Sequence, residues 1–195
     1  MRRFLLYFSI FSSGMALADR VENPVELARL PAYCRGTQQI RSVSHDPVPI
    51  ETYMKRYGQA YYHLHHYCWA LNSENKANTI PDKQQRNSKL FYALGDIDYV
   101  IDRSQPNFLL LPEIYTGKAR ILFKLDRAPE AVGALYKALQ LKPDYWPASL
   151  RLSDHYKRQG DMKNARTILE KALEKTPKSK VIAKRIEELD AAKNK

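Results

Sequence analysis

Between Pro112 and Ser179 the chain reads P-E-I-Y-T-G-K-A-R-I-L-F-K-L-D-R-A-P-E-A-V-G-A-L-Y-K-A-L-Q-L-K-P-D-Y (112–145) and then W-P-A-S-L-R-L-S-D-H-Y-K-R-Q-G-D-M-K-N-A-R-T-I-L-E-K-A-L-E-K-T-P-K-S (146–179). The two lines superpose at a period of 34 residues without a gap. Ala119 falls on Ser153, Leu122 on Tyr156, Ala131 on Ala165, Leu135 on Leu169, Ala138 on Ala172 and Pro143 on Pro177. Small residues stand where two helices must approach closely, and large apolar ones fill the space between them. A proline closes each unit because it cannot continue a helix.

This pattern resembles the tetratricopeptide repeat, a pair of antiparallel helices stacked into a solenoid. The resemblance implies an all-α fold, a short array with units at 108–145 and 146–179. The second unit follows the family pattern at Leu152, Ser153, Tyr156, Gly160, Ala165, Leu169, Ala172 and Pro177. The first departs from it twice. Lys118 stands where a leucine is usual, which implies an offset or partly exposed helix, and Asp126 replaces the turn glycine, a mild change because Asp tolerates a left-handed turn. Beyond Pro177, Ile182, Ile186 and Leu189 form one stripe on an otherwise charged helix, read as a capping helix and tail over 180–195.

Upstream, Tyr53, Tyr57, Tyr61, Leu64, Cys68 and Leu71 share one face of a helix from about Pro49 to Asn72. A loop follows to Asp82, and then a second helix from Lys89 to Ile101. Residues 49–107 are therefore read as a divergent helical hairpin of the same array, since about three units are needed to bury a continuous core. Residues 19–48 read as an N-terminal arm with one short helix, P-V-E-L-A-R-L, tied down at Cys34. L-P-A-Y-C, H-H-Y-C-W-A-L and L-K-P-D-Y-W-P-A beside the repeats are similar to a group of exported, periplasmic proteobacterial tetratricopeptide proteins.

The first eighteen residues carry two arginines, an apolar run from Phe4 to about Phe11, and Ala16-Leu17-Ala18, the pattern of a cleavable signal peptide. The run is shorter than the ~20 residues of a membrane-spanning helix, and Asp19 rather than a cysteine follows the cleavage site, which argues against a lipoprotein. A periplasmic or secreted chain without a transmembrane segment is the expectation. The formal net charge of +11 becomes +9 once Arg2 and Arg3 are removed. The two cysteines, Cys34 and Cys68, are a disulfide candidate in an oxidising compartment; the alternative is two unpaired buried thiols.

No phosphate-cradling glycine loop, G-x-S-x-G, H-E-x-x-H or paired C-x-x-C is present, so no enzyme, catalytic residue or cofactor is indicated. Asp96 and Asp98 diverge on a helix, while Asp98 and Asp102 share a face that reads as a solvated charged stripe. His63 with His66, or His65 with Cys68, have the spacing to meet one cation. A second cluster that would complete four ligands is missing, so no metal is expected and His66 is read as packing with Tyr62 and Trp69.

Recognition is expected in the groove instead. In the family the repeat resembles, positions 2, 5, 6, 9, 12 and 13 of each first helix line a concave surface. Here these are Glu113, Thr116, Gly117, Arg120, Phe123 and Lys124, then Pro147, Leu150, Arg151, Asp154, Lys157 and Arg158. Arg120, Phe123, Lys124, Leu150, Arg151, Asp154, Lys157 and Arg158 are the candidate binding residues, suited to an acidic or extended segment of a protein partner. The Lys, Asn and Arg pattern with which some members clamp a terminal carboxylate is not matched, as Thr116 stands at the first lysine. Binding of an anionic envelope polymer, polysaccharide or lipid headgroups, is the competing reading. Nucleic acid fits the charge but no recognition motif supports it.

Overall fold

The computed structural model describes residues 19–193; the leader read from residues 1–18 lies outside them. The described residues form ten α-helices and no strands: α1 (Pro24–Ala28), α2 (Arg41–Ser44), α3 (Ile50–Tyr57), α4 (His65–Ala77), α5 (Lys83–Asp102), α6 (Leu111–Lys124), α7 (Ala128–Leu141), α8 (Trp146–Arg158), α9 (Met162–Lys175) and α10 (Lys180–Lys193). Short 3-10 turns cover Ala32–Gly36 and Gln59–His63. From α4 onward the helices pack as sequential antiparallel pairs, α4 with α5, α6 with α7 and α8 with α9, and α10 closes the stack against α9.

The repeat spacing becomes a buried ladder. Ala131, Leu135 and Ala138 on α7, and Ala165, Leu169 and Ala172 on α9, are all buried, facing the buried Ala119 of α6 and Ser153 of α8. Pro112, Pro129 and Pro147 each fall in the first turn of their helix, where a missing N–H leaves no bond unmade. Asp126 takes φ +60° and Gly160, one period later, +76°, so the aspartate adopts the left-handed turn expected of it. Lys118 is half-buried and bonds Asp98 of α5 at 2.5 Å, which supplies the polar partner that a leucine would not have needed.

The same ladder runs through the first pair. Ala93, Ile97 and Val100 of α5 keep the spacing of 131, 135 and 138, all fully buried, and Ser73 of α4 stands where Ala119 and Ser153 do. This pair is longer. Ser73 precedes Ala93 by 20 residues where Ala119 precedes Ala131 by 12, and α5 has 20 residues against 14 in α7 and α9.

Three boundaries differ from the sequence reading. The helix expected from Pro49 to Asn72 breaks at Gly58, whose φ of +110° no helix permits. Its tyrosines still meet, because the 3-10 turn brings Tyr61 against Tyr53 (centroids 5.1 Å apart) and Tyr57 (5.5 Å). The loop expected from Asn72 is helical to Ala77, because Asn72, Ser73 and Glu74 are buried with partners rather than solvated. Helix α5 starts at Lys83, not Lys89, where Asp82 accepts the Gln85 N–H as an N-cap.

Those buried polar residues hold the arm. Asn72 donates to the Arg20 carbonyl (3.1 Å) and to Glu26 (2.8 Å), the Asp19 N–H donates to Ser73 Oγ (3.0 Å), and Lys89 pairs with Asp19. Cys34 and Cys68 are joined in a disulfide, both without exposure. Beside it Tyr61 donates to the Tyr33 carbonyl at 2.6 Å, and Gly36 lies so close to Tyr53 that a Cβ there would sit 2.2 Å from the ring.

The disulfide spans 34 residues, for which loss of loop-closure entropy in the unfolded chain contributes about 4 kcal/mol. The double replacement Cys34→Ser with Cys68→Ser should lower the unfolding free energy by about that amount in urea titrations monitored by circular dichroism. An unchanged midpoint would show that the arm is held by its hydrogen bonds alone.

Candidate functional site

Helices α6 and α8 lie side by side, and their C-terminal halves enclose an open depression of about 550 Å³. Arg120, Phe123 and Lys124 enter it from α6 and Arg151 and Arg158 from α8, with Asp126, His155 and Gln159 completing the lining. Five of the eight candidate binding residues are thereby brought together. The other three stand one residue round the helix: 151, 155 and 158 form one stripe of α8, and 150, 154 and 157 the next. Leu150 packs into the small apolar cluster that includes Ile186 of α10, Asp154 pairs with Arg185 of α10, and Lys157 is exposed outside the depression.

The N-terminal half of the expected groove is filled from within. Glu113 accepts the Tyr33 hydroxyl of the arm at 2.5 Å. Thr116 is buried and donates to the Pro112 carbonyl. Gly117 lies under Tyr67, whose hydroxyl would stand 2.6 Å from a Cβ at that position. The arm and α4 therefore leave only the Arg120–Arg158 end open.

Within that end the cations are unequal. Glu74 of α4, only 4% exposed, receives Arg120 through Nε (2.7 Å) and Nη2 (2.5 Å) and Lys124 through Nζ (2.6 Å). Burial pushes the Glu74 carboxyl up, but hydrogen bonds and charge from Arg120 and then Lys124 outweigh it and hold it below its ordinary range. Lys124 and Arg158 end their helices, where cations also offset the negative end of the macrodipole. Arg158 lies over Phe123 at 5.7 Å, and His155 stacks on the same ring at 5.2 Å. Burial, then the neighbouring Arg158, lower the His155 pKa.

Arg151 is the exception. It is half-buried in mid-helix, and burial followed by repulsion from Arg120 lowers its pKa. Glu74 and Asp154, the carboxylates that attract it, are engaged by Arg120, Lys124 and Arg185, and no described carboxylate forms an ion pair with it. Four cations against Glu74 and Asp126 leave two positive charges in the depression. Glu74 and His155 were missed in the sequence. Glu74 lies 46 residues before Arg120, an offset concealed by the enlarged first pair.

The N-terminal histidines and aspartates serve packing. His66 Nδ1 bonds Asp96 Oδ1 at 2.6 Å, its ring lying 4.0 Å from Tyr99 and 4.8 Å from Trp69. Tyr62, expected beside it, is instead exposed on the 3-10 turn. Burial pushes the His65 pKa down to about 4. Asp96 is taken by His66; of the Asp98–Asp102 stripe, Asp98 pairs with Lys118 while its side chain stays 46% exposed, and Asp102 is exposed.

Sequential antiparallel helix pairs with this buried ladder are consistent with a helical repeat array. Residues 122–185 match the tetratricopeptide repeat family model. The matched segment, about a third of the chain, runs from the last turn of α6 into α10 and takes in Arg151, His155 and Arg158. No curated protein matches the chain. The tetratricopeptide repeat region suggests protein partners and is of a kind typically without catalytic activity. No described helix is long and apolar enough to cross a membrane.

Removing one member of a buried ion cluster leaves the rest uncompensated, so Glu74→Gln should lower stability by about 2–4 kcal/mol at pH 7. Because the folded pKa of Glu74 is depressed, its contribution is present above the unfolded carboxylate value of about 4.3 and is lost as pH falls through the folded value. The gap between wild type and variant, measured by urea unfolding, should therefore close as pH is lowered toward 3.

Proposed function

We propose that the chain is an exported interaction module, an adaptor or assembly factor of the cell envelope. In this reading the shelf between α6 and α8 holds an acidic, extended segment of a partner protein. The observation that carries it is Arg151, a desolvated guanidinium without a carboxylate partner, opening into a depression with two uncompensated positive charges. A buried charge left unpaired is costly, and a ligand carboxylate would supply the missing charge-assisted hydrogen bonds. The α4–α5 pair serves as a divergent first unit and α10 as a cap. Export is supported by the leader pattern of residues 1–18 and by the Cys34–Cys68 disulfide, a bond favoured in oxidising compartments.

The competing reading, adhesion to an anionic envelope polymer, is favoured by the lysines along α9, the turn after it and α10 (Lys163, Lys171, Lys175, Lys178, Lys180, Lys184). It requires no particular residue. Selection of random dodecapeptides on the full chain separates the two. Acidic peptides should be enriched, and Arg151→Glu should weaken their binding by about 30-fold or more, the loss expected of a central hot spot. Arg151→Gln, which removes the charge without reversing it, should fall between. Retention of the same peptides by both variants, or binding that declines smoothly with salt whichever cation is removed, would give the polymer reading the advantage.

A further inference from the structure

The other side of α8 carries a second depression. It opens between α7 and α9, both of which pack on α8, and encloses about 330 Å³. Ser149 and Tyr156 line it from α8. With 3.6 residues per turn they stand about 140° around the helix from Arg151, His155 and Arg158, which line the α6–α8 depression. The two depressions are therefore separate sites.

The chemistry of this cleft is that of an anion site with an apolar wall. Leu139 of α7 and Ile168 of α9, both half-buried, supply the wall. Lys171 and Lys175, one turn apart on α9, supply the charge, and none of the described residues lining the cleft is acidic. Neither lysine forms an ion pair among the described residues, and the adjacent Glu170 is engaged by Arg166.

Hydroxyl groups add directed donors. Tyr136 of α7 and Tyr156 of α8, both lining the cleft, meet through their oxygens at 3.0 Å. One proton serves that bond, so the other O–H is left for a third group. Burial, then the bond to Tyr156, pushes the Tyr136 pKa up to about 12, which keeps it a donor at neutral pH. Ser153 lies between Ser149 and Tyr156 on the same stripe of α8. It is 1% exposed, and its hydroxyl has no hydrogen-bond partner among the described residues. A buried hydroxyl left in that state is destabilising, so this stripe holds more hydrogen-bonding capacity than the chain itself uses.

We propose that the cleft binds a small organic anion, a carboxylate or phosphate head joined to a short apolar body. Lys171, Lys175 and the Tyr136–Tyr156 pair hold the head, and Leu139 and Ile168 receive the body. A bare anion would forgo the apolar wall, and an uncharged molecule of the same length would leave both lysines without a counter-charge. The volume lies at the small end of ligand pockets, which suits a short chain or a single ring. The site does not rest on the acidic-segment reading. It takes two of the lysines that the polymer reading counts as general attraction and gives them a specific task.

The test is titration of the full chain, isotopically labelled at its isoleucine and leucine methyls, with hexanoate, hexyl phosphate, hexanol, hexylamine and acetate, followed by NMR. Hexanoate or hexyl phosphate should shift the Leu139 and Ile168 methyls saturably, about tenfold or more tighter than the other three probes. The tighter of the two identifies the head. Replacing Lys171 and Lys175 together by Gln should weaken that binding by about tenfold or more, and Tyr136→Phe, which leaves the charge unchanged, should weaken it by a smaller factor. Replacing Lys178 and Lys180 by Gln removes the same charge from the next turn and should leave binding as it was. Unmoved Leu139 and Ile168 methyls, equal binding of hexanol, or an equal loss from the two double replacements would overturn the proposal. The last of these outcomes would mark a general attraction to a basic surface.

Discussion

The carboxylate of Glu74 is the constraint on which the rest of the site depends. It lies between the first helix pair and the repeats, buried, with Arg120 and Lys124 closing on it from α6. A buried carboxylate is tolerable only because the half-buried Arg120 fork and the solvent-facing Lys124 ammonium both meet it directly. The same contact joins α4 to α6 and decides which cations remain for a ligand. Arg120 and Lys124 are basic in sequence and largely spent in structure, whereas Arg151 is left exposed to Arg120's repulsion without a partner of its own.

The arm acts in the same direction from the other end. Disulfide-linked to α4 and bonded through Asn72, Ser73 and Lys89, it brings Tyr33 onto Glu113 and so occupies the start of the groove. A fold that could have offered an open concave surface along its whole length offers a short one. The apolar core is continuous from Val21 of the arm to Leu152 of α8, with a separate small cluster under α10. Covering the first pair with an arm and the last with a polar-backed helix protects both ends of a stack that is otherwise only a few layers long.

Periodicity made the second half legible because its units superpose without a gap, so that position 131 foretold position 165 and Asp126 foretold a turn like that at Gly160. The first pair hid the same rule. Ala93, Ile97 and Val100 repeat the buried spacing of α7, but extra residues between Ser73 and Ala93 displace one helix of the pair relative to the other, and no single period aligns both. Polar side chains misled for a related reason. Asn72 and Ser73 look like the start of a loop until the arm supplies their partners. Asp98 is solvated as its stripe suggests, with a 46% exposed side chain, but it also meets Lys118, itself the odd residue of its repeat. In the groove the family positions identified the right helices but could not say which stripe of α8 faces α6. Leu150 and Asp154 turn toward α10 because that helix brings Ile186 and Arg185 to meet them.

Net charge was a coarser guide than pairing. Much of the positive excess of this chain is engaged: Lys76 with Glu26, Lys89 with Asp19, Lys118 with Asp98, Arg127 with Glu130, Arg166 with Glu170 and Asp190, and Arg185 with Asp154 and Glu188. Many of these are exposed pairs that contribute little to stability, on the order of 0–1 kcal/mol each, but each removes a cation from competition for a ligand. Selectivity in such a molecule depends less on how many lysines and arginines it carries than on which of them the fold fails to neutralise. Arg151 is desolvated by its neighbours and denied a carboxylate by the same helices that desolvate it. An incoming anion there meets a charge that water solvates poorly, so less hydration is lost on binding than at a fully exposed lysine, and the site can favour one ligand over the general attraction of a basic surface.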